Sequence, residues 1–315
     1  MKKLFLLSAV ILYFFTAAEQ NNVSLELKLE KNKVYRFTSL SEQSIIQTIN
    51  GNQQTIESKV NYAFSMKMID VAPEFMITEV RFDTIITNTN TMGKTISMSS
   101  VKEGDIKSSE TSEVMSCIMN RLSKNSLYVK MDFTGKVLEI VNSKMLADIV
   151  MNDTSAITLS GPVAIGIKTQ IASMVSDKTL KTMVEMFTMH LPGKQVSAGD
   201  NWSTTVNTNS GGMSLDIITD YHLNGINGSN ADISAESKIK ASPNAEPMNS
   251  GGAKITYDDL SGLSKSTLLI DTKTGLLIED KGKSHITGNL GLTMPGMSMQ
   301  IPMEITSTSK VSILK

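Results

Sequence analysis

The chain has 315 residues with 30 Lys and Arg against 31 Asp and Glu, and only 5% of it is aromatic. The near-balanced charge, with no basic block, argues against a nucleic-acid partner. Apolar residues recur with a clear period, which excludes a disordered chain, and the single cysteine, Cys117, excludes an internal disulfide framework.

The N-terminus reads MKKLFLLSAVILYFFTAAEQ. Lys2 and Lys3 form a positive region, an apolar run follows from Leu4 to Phe15, and Ala17-Ala18 offers a cleavage site. Residues 1–18 are expected to be a secretory signal. An apolar run of that length is short of the roughly 20 residues that a spanning helix needs. Loss of Lys2 and Lys3 leaves 28 basic residues against 31 acidic ones. The product is expected outside the cytoplasm, periplasmic or secreted, with no transmembrane segment. The flanks of Cys117 (Met115, Ile118 and Met119) are apolar and predict a buried, inert thiol.

Residues 19–142 predict a first β module. Val23, Leu25, Leu27 and Leu29 alternate with polar residues, as in a strand. Asn50-Gly51 supplies the positive φ angles of a two-residue hairpin. Beyond it, Val60, Tyr62, Phe64, Met66 and Met68 share one face. After Pro73 the pattern predicts Met76, Val80, Phe82 and Ile86 aligned in the next strand. The polar stretch 88–111 reads as a loop or weak edge strand. Val114, Cys117, Ile118 and Leu122 then predict a short helix, and LYVKMDFTGKVLEI a hairpin with Asp132 and Gly135 in its turn.

Residues 143–191 change period and predict a helical insert. Pro162 stands at a favoured first helical position. Val163, Ile167, Ile171 and Met174 form one stripe, and Leu180, Met183, Val184, Phe187 and Leu191 a second. The stripes would face oppositely on one continuous helix, so a break is predicted near Ser176-Asp177, either of which can cap a new start.

Residues 192–315 predict a second β module. It opens at Trp202, in the place that Tyr35 holds in the first, and it carries its own hairpin, TLLIDTKTGLLIED, turning at Gly275. The two modules thus form a coarse internal repeat, with about 27 extra residues in the first, close to the length of 91–122. The terminal run predicts a long strand with Met297, Met299, Ile301, Met303 and Ile305 aligned, and Pro302 on an edge or at a bulge.

The order of LKLEKNKVYRFTSLSEQ, VKMDFTGKVLEI, a helical middle, LPGKQVSAGDNW and a closing TGLL hairpin resembles a bacterial secreted family of unknown function, number 6263 among such domains. The resemblance covers nearly all of the chain beyond residue 18. It implies an extracytoplasmic β-rich protein and brings no catalytic residue with it.

No catalytic signature stands out. His190 ends a helix, while His222 and His285 lie in strands. The sequence SSVK at 99–102 matches Ser-x-x-Lys but sits in a polar stretch rather than at a helix start. The 21 methionines invite a Cu(I) reading, because thioether sulfur is soft. Met66, Met68, Met297 and Met299 nevertheless fit strand faces, and Met183, Met186 and Met189 fit a helix, where methionine fills cores. No metal, cofactor or catalytic residue is assigned.

The expected fold is α+β, mainly antiparallel β, with two related curved β modules packed with a central helical insert. The expected function is non-enzymatic binding of an apolar small molecule or an envelope protein. The alternatives are an interaction protein without a cavity and a hydrolase with an assembled site. A large pocket lined by Met and Ile favours binding, and a filled core favours interaction.

Overall fold

The computed structural model describes residues 22–210, 213–243, 245, 247–250 and 253–314; the expected signal at 1–18 lies outside them. The first half runs β1 (Val23–Ser24), β2 (Val34–Ile49), β3 (Asn52–Val71), β4 (Met76–Thr91), β5 (Lys94–Ser99), α1 (Thr111–Ser123), β6 (Leu127–Met131) and β7 (Val137–Ile140). Three helices follow: α2 (Ser143–Val150), α3 (Gly161–Met174) and α4 (Asp177–Thr188). The second half runs β8 (Gln195–Val196), β9 (Asn201–Ser210), β10 (Met213–Asn227), β11 (Asn230–Ala241), β12 (Met248–Ser250), β13 (Ala253–Asp271), β14 (Leu277–Met294) and β15 (Met297–Leu314).

The fold is mostly antiparallel β. One 13-stranded open sheet has the order β7-β6-β4-β3-β2-β15-β14-β13-β11-β10-β9, with β5 added to β4 and β12 to β13. Strands from both halves of the chain share it, because β15 pairs with β2 over residues 303–314. Pro302 lies one residue beyond that pairing and faces only Asn289 of β14, so β15 is an edge there and no amide is missed.

Local chemistry explains the elements. Asn50 and Gly51 turn β2 into β3 with φ angles of 50° and 80°. The helical stretch breaks where the two stripes predict, and the Ser176 hydroxyl accepts from the Thr179 amide as the cap of α4. Residues 94–99 do form an edge strand, paired with β4.

Three expectations are corrected. Ile86 does not align with Met76, Val80 and Phe82. The β3–β4 register slips between Ala63 and Ser65, so the extra residue of a bulge turns Ile85 inward instead. Val163 is not on the buried stripe of α3: it is 53% exposed, while Ile167 and Ile171 are buried. The alternation from Val23 to Leu29 is not one strand. Only Val23 and Ser24 pair, with Val196 and Gln195. Leu25, Leu27 and Leu29 are buried in a strap, where the Leu27 amide donates to the Phe133 carbonyl and the Lys28 amide to the Thr274 carbonyl, both at 2.8 Å.

Both TG hairpins therefore grip the same strap or its neighbours. A side chain at Gly275 would start 2.2 Å from the Glu26 carbonyl oxygen, and one at Gly135 would start 2.1 Å from that of Thr188. The unequal spacing of their aspartates has a geometric counterpart. The Gly135 amide donates to Asp132 three residues back, and the Gly275 amide to Asp271 four residues back.

The main core lies between one face of the sheet and the helices. Phe64 links them: it stacks on Phe37 at 4.7 Å and meets Phe187 of α4 at 3.9 Å between ring centroids. The opposite face carries exposed ion pairs such as Glu42–Lys59 at 2.8 Å and Glu236–Lys265 at 2.7 Å, which contribute little to stability.

Candidate functional site

Strand register arranges the core face in rows across the sheet. One row reads Thr204, Thr219, Ser237, Ser264, Ser284, Ser307, Gln43, Ser58 and Thr89, each directly opposite the next. Every member is half-buried. Neighbours partly satisfy one another: Thr219 and Ser237 hydroxyls are 2.8 Å apart, and those of Ser284 and Ser307 are 2.6 Å apart.

Two residues further along each strand, the parallel row reads Val206, Ile217, Ile239, Gly262, Ile286, Ile305, Ile45 and Ile56. Gly262 is required there, because a side chain would begin 2.7 Å from the Ile286 Cα. Around this row Leu215, Ile239, Leu260, Ile286, Met303 and Ile305 form a second apolar cluster, and its members and apolar neighbours all come from the sheet and its connections. The main core, by contrast, combines strand and helix residues. The hydroxyl row thus separates a helix-covered core from an apolar patch built by the sheet alone.

On the helix side of the hydroxyl row lies Asp280. Its neighbours across the sheet are Leu268 and Val311. The Ser266 hydroxyl and the Lys281 amide donate to the carboxyl, yet burial prevails and pushes it up to about 6. One carboxylate oxygen, Oδ1, is buried with no partner. Tyr221 feels this charge, and burial raises its own phenol first of all. Tyr221 stacks on Trp202 at 5.4 Å between centroids, and the Trp202 indole donates to the His190 carbonyl at 3.1 Å.

The His190 imidazole is bonded to the Met186 carbonyl, while its Nε2 is buried without a partner; burial lowers the ring to about 4. Among the described residues, His190 Nε2 and Asp280 Oδ1 are the buried side-chain polar atoms left unpaired. The sequence carried a signal for Asp280 that composition hides. Glu279, Lys281, Lys283 and His285 mark the opposite face of β14, so Asp280 has the inward parity of Gly282, Ser284 and Ile286.

The other singled-out residues fall in separate places. Cys117 is buried on α1 as a free thiol. Ser99 accepts from the Val101 amide, Ser100 from the Ile85 amide of β4, and Lys102 stands 3.7 Å from Glu113, so this segment spends its hydroxyls on backbone amides. His222 Nδ1 meets Asn201 at 2.9 Å, and His285 Nε2 meets Glu304 at 2.9 Å, both exposed. Met66 and Met68 are buried in the core, whereas Met297 is 43% exposed. Tyr35 is buried, with its hydroxyl 3.2 Å from the Glu30 amide that donates to it. Among the described residues no group of three His, Cys, Asp or Glu could hold a metal, and no helix is long and apolar enough to cross a membrane.

Two concavities of similar volume differ in place. One of about 780 Å³ covers Val141, Met145 and Ile149 beside α2, and one of about 730 Å³ is lined by Glu42, Glu57, Lys59 and Lys283 of the opposite face together with Gln43, Ser58, Ser284 and Ser307 of the hydroxyl row. Neither is the Met- and Ile-lined interior pocket that the sequence made decisive for binding. The apolar surface is a row on an open sheet instead.

No curated protein matches the sequence. Among solved structures, the chain is similar to one that describes lipid–protein interactions in lipovitellin, at 7% identity and a TM-score of 0.43; the match covers 91% of this chain and 26% of that one. It is similar to an outer membrane channel from Pseudomonas putida F1 at 7% identity, 91% and 97% coverage and a TM-score of 0.28, and to OccK11 of Pseudomonas aeruginosa at 7% identity, 92% and 100% coverage and a TM-score of 0.22. These scores are too low to show a shared fold. The sequence itself gives a firmer result: the model of a family of unknown function, DUF6263, matches residues 74–277, most of the chain. The chain belongs to that family.

Proposed function

We propose that this is an extracytoplasmic binding protein that receives the apolar part of a small molecule or envelope component on the isoleucine row of its core face. The supporting observation is the row itself. Seven β-branched side chains from seven strands align there, and the apolar residues packed around them include none from a helix. An apolar surface organised in this way beside a polar row suits a ligand with distinct apolar and polar parts. Ile45 and Ile217, at its flanks, are only partly buried.

The test uses the fluorescence of N-phenyl-1-naphthylamine, which rises in apolar surroundings. The wild-type chain is expected to enhance it and to be saturable. The double variant I45S/I217S is expected to lose most of that enhancement while keeping its circular dichroism. An unchanged signal in the variant would sink the proposal.

We also propose that residues 19–142 and 192–315 are related β modules around the segment 143–191. The support is that the Phe133 and Thr274 carbonyls, one from each TG hairpin, accept from adjacent amides of the strap. A strap variant, L27P, is expected to loosen both hairpins together in hydrogen exchange; protection lost in one hairpin alone would count against this kinship.

A further inference from the structure

We infer that Asp280, the notch at Gly282 and the hydroxyl row form the head-group subsite for an amphiphile carrying a primary ammonium; this rests on the binding reading above. Three observations converge. First, the strand rows around Asp280 carry no cation. Its row runs Leu223, Ile233, Leu268, Asp280, Val311, Ser39, Tyr62 and Ile85, and the next runs Tyr221, Ala235, Ser266, Gly282, Ser309, Ser41 and Val60. Neither these rows nor the hydroxyl row contains Lys, Arg or His. Asp280 Oδ1 is buried and lacks a donor, and no positive charge stands in these rows to face it.

Second, the place beside it is closed by one movable group, the Ser309 hydroxyl, whose rotation opens it. Gly282 is the next inward position on β14 and carries no side chain, and it lies between Ser266 and Ser309. The Ser309 hydroxyl leans over it, 2.7 Å from where a Cβ would stand. An ammonium placed over Gly282 has three donors. It can give one to Asp280 Oδ1 and direct the others to the flanking hydroxyls.

Third, the spacing fits an amphiphile. Ser284 and Ser307 follow as acceptors and donors for the rest of the head, and Ile286 and Ile305 begin the apolar row. From Gly282 to Ile286 is four residues, about 13 Å along a strand, which a dodecyl compound spans.

The experiment measures displacement of N-phenyl-1-naphthylamine from the full chain at pH 8 by dodecylamine, dodecanol and dodecanoate, each kept below its micelle concentration. Dodecylamine is expected to act at about tenfold lower concentration than the other two, as a charge-assisted hydrogen bond implies. The D280N variant should lose that advantage. In the wild type the advantage should also vanish at pH 5, where the Asp280 carboxyl, titrating at about 6, is protonated while the amine keeps its charge. This second measurement needs no variant to fold. Equal potency of the three compounds, or an amine preference that survives in D280N, overturns the ammonium subsite and leaves the apolar-binding reading standing. Failure of the wild type to bind the fluorescent probe overturns both.

Discussion

The two ends of the core face solve the same problem differently. Near the helices, aromatic side chains from the sheet meet a second layer: Phe37, Phe64 and Phe187 form one continuous aromatic cluster between β2, β3 and α4. Toward the hairpin tips, aliphatic side chains from neighbouring strands pack mainly on one another. The first arrangement is an ordinary two-layer core. The second buries Ile305 to 1% and Leu260 to 2% exposure with no apolar helix residue among its neighbours. Two ways of covering apolar side chains thus share one sheet, with a hydroxyl row as the border.

The comparison can be broken most directly at Phe64. Phe64→Ala removes the ring that joins sheet to helix and should cost about 3–5 kcal/mol in urea denaturation. Ile305→Ala at the other end should cost less, about 2–3 kcal/mol, because only neighbouring strands need to relax around the gap. Equal losses would mean that the ends form one cooperative core and that the border is only chemical.

The border itself should show in the pH dependence of stability. The folded-state value of Asp280, about 6, lies above its ordinary 3.8, so its contribution is present below pH 4 and is lost as pH rises to 6. The folded-state value of His190, about 4, lies below its ordinary 6.5, so its contribution is present above pH 6.5 and is lost as pH falls through 4. The two slopes oppose each other over nearly the same window and should largely cancel in the wild type. D280N should unmask a stability that rises with pH between 4 and 6.5, and H190Q one that falls, each on the order of 2–3 kcal/mol. Urea midpoints measured from pH 4 to pH 7 decide this, and parallel slopes in the two variants would refute it.

The smallest contrast is between two turn glycines. Gly51, at a hairpin tip, has φ of 80° and open space around it, whereas Gly275 has φ of 72° and the Glu26 backbone against it. Gly51→Ala should cost about 1 kcal/mol, the strain of the left-handed region alone. Gly275→Ala should cost about twice that or more, since backbone must move. Thermal melts of both variants separate turn strain from the close approach to the strap.

Much of the local structure was legible. The Asn50-Gly51 hairpin, α1 and the break between α3 and α4 each follow from short-range chemistry: turn residues, helical spacing and a serine cap. The slip at Phe82–Asp83 was not, because a bulge changes parity without changing composition. The strap was misread for a related reason. Alternation reports which side chains are buried, and Leu25, Leu27 and Leu29 are buried against hairpins rather than in a ladder. The pairing of β2 with β15 was invisible, since no local pattern names a partner some 260 residues away. The rows of the candidate site depend on that pairing. Each strand shows its Ser, Thr or Ile singly, and only register brings them into line.

The strap also sets the order in which this molecule can be completed. Leu27 is among the first described residues, and its immediate neighbour Lys28 takes its acceptor from Thr274. A chain emerging from the ribosome therefore carries three leucines whose second clamp does not yet exist until nearly nine-tenths of it has been made. β2 must likewise wait for the last strand. Contacts so distant in sequence make loop closure the slow step of folding. Any machinery that moves the chain through a narrow passage before synthesis ends therefore meets no finished sheet to pull apart.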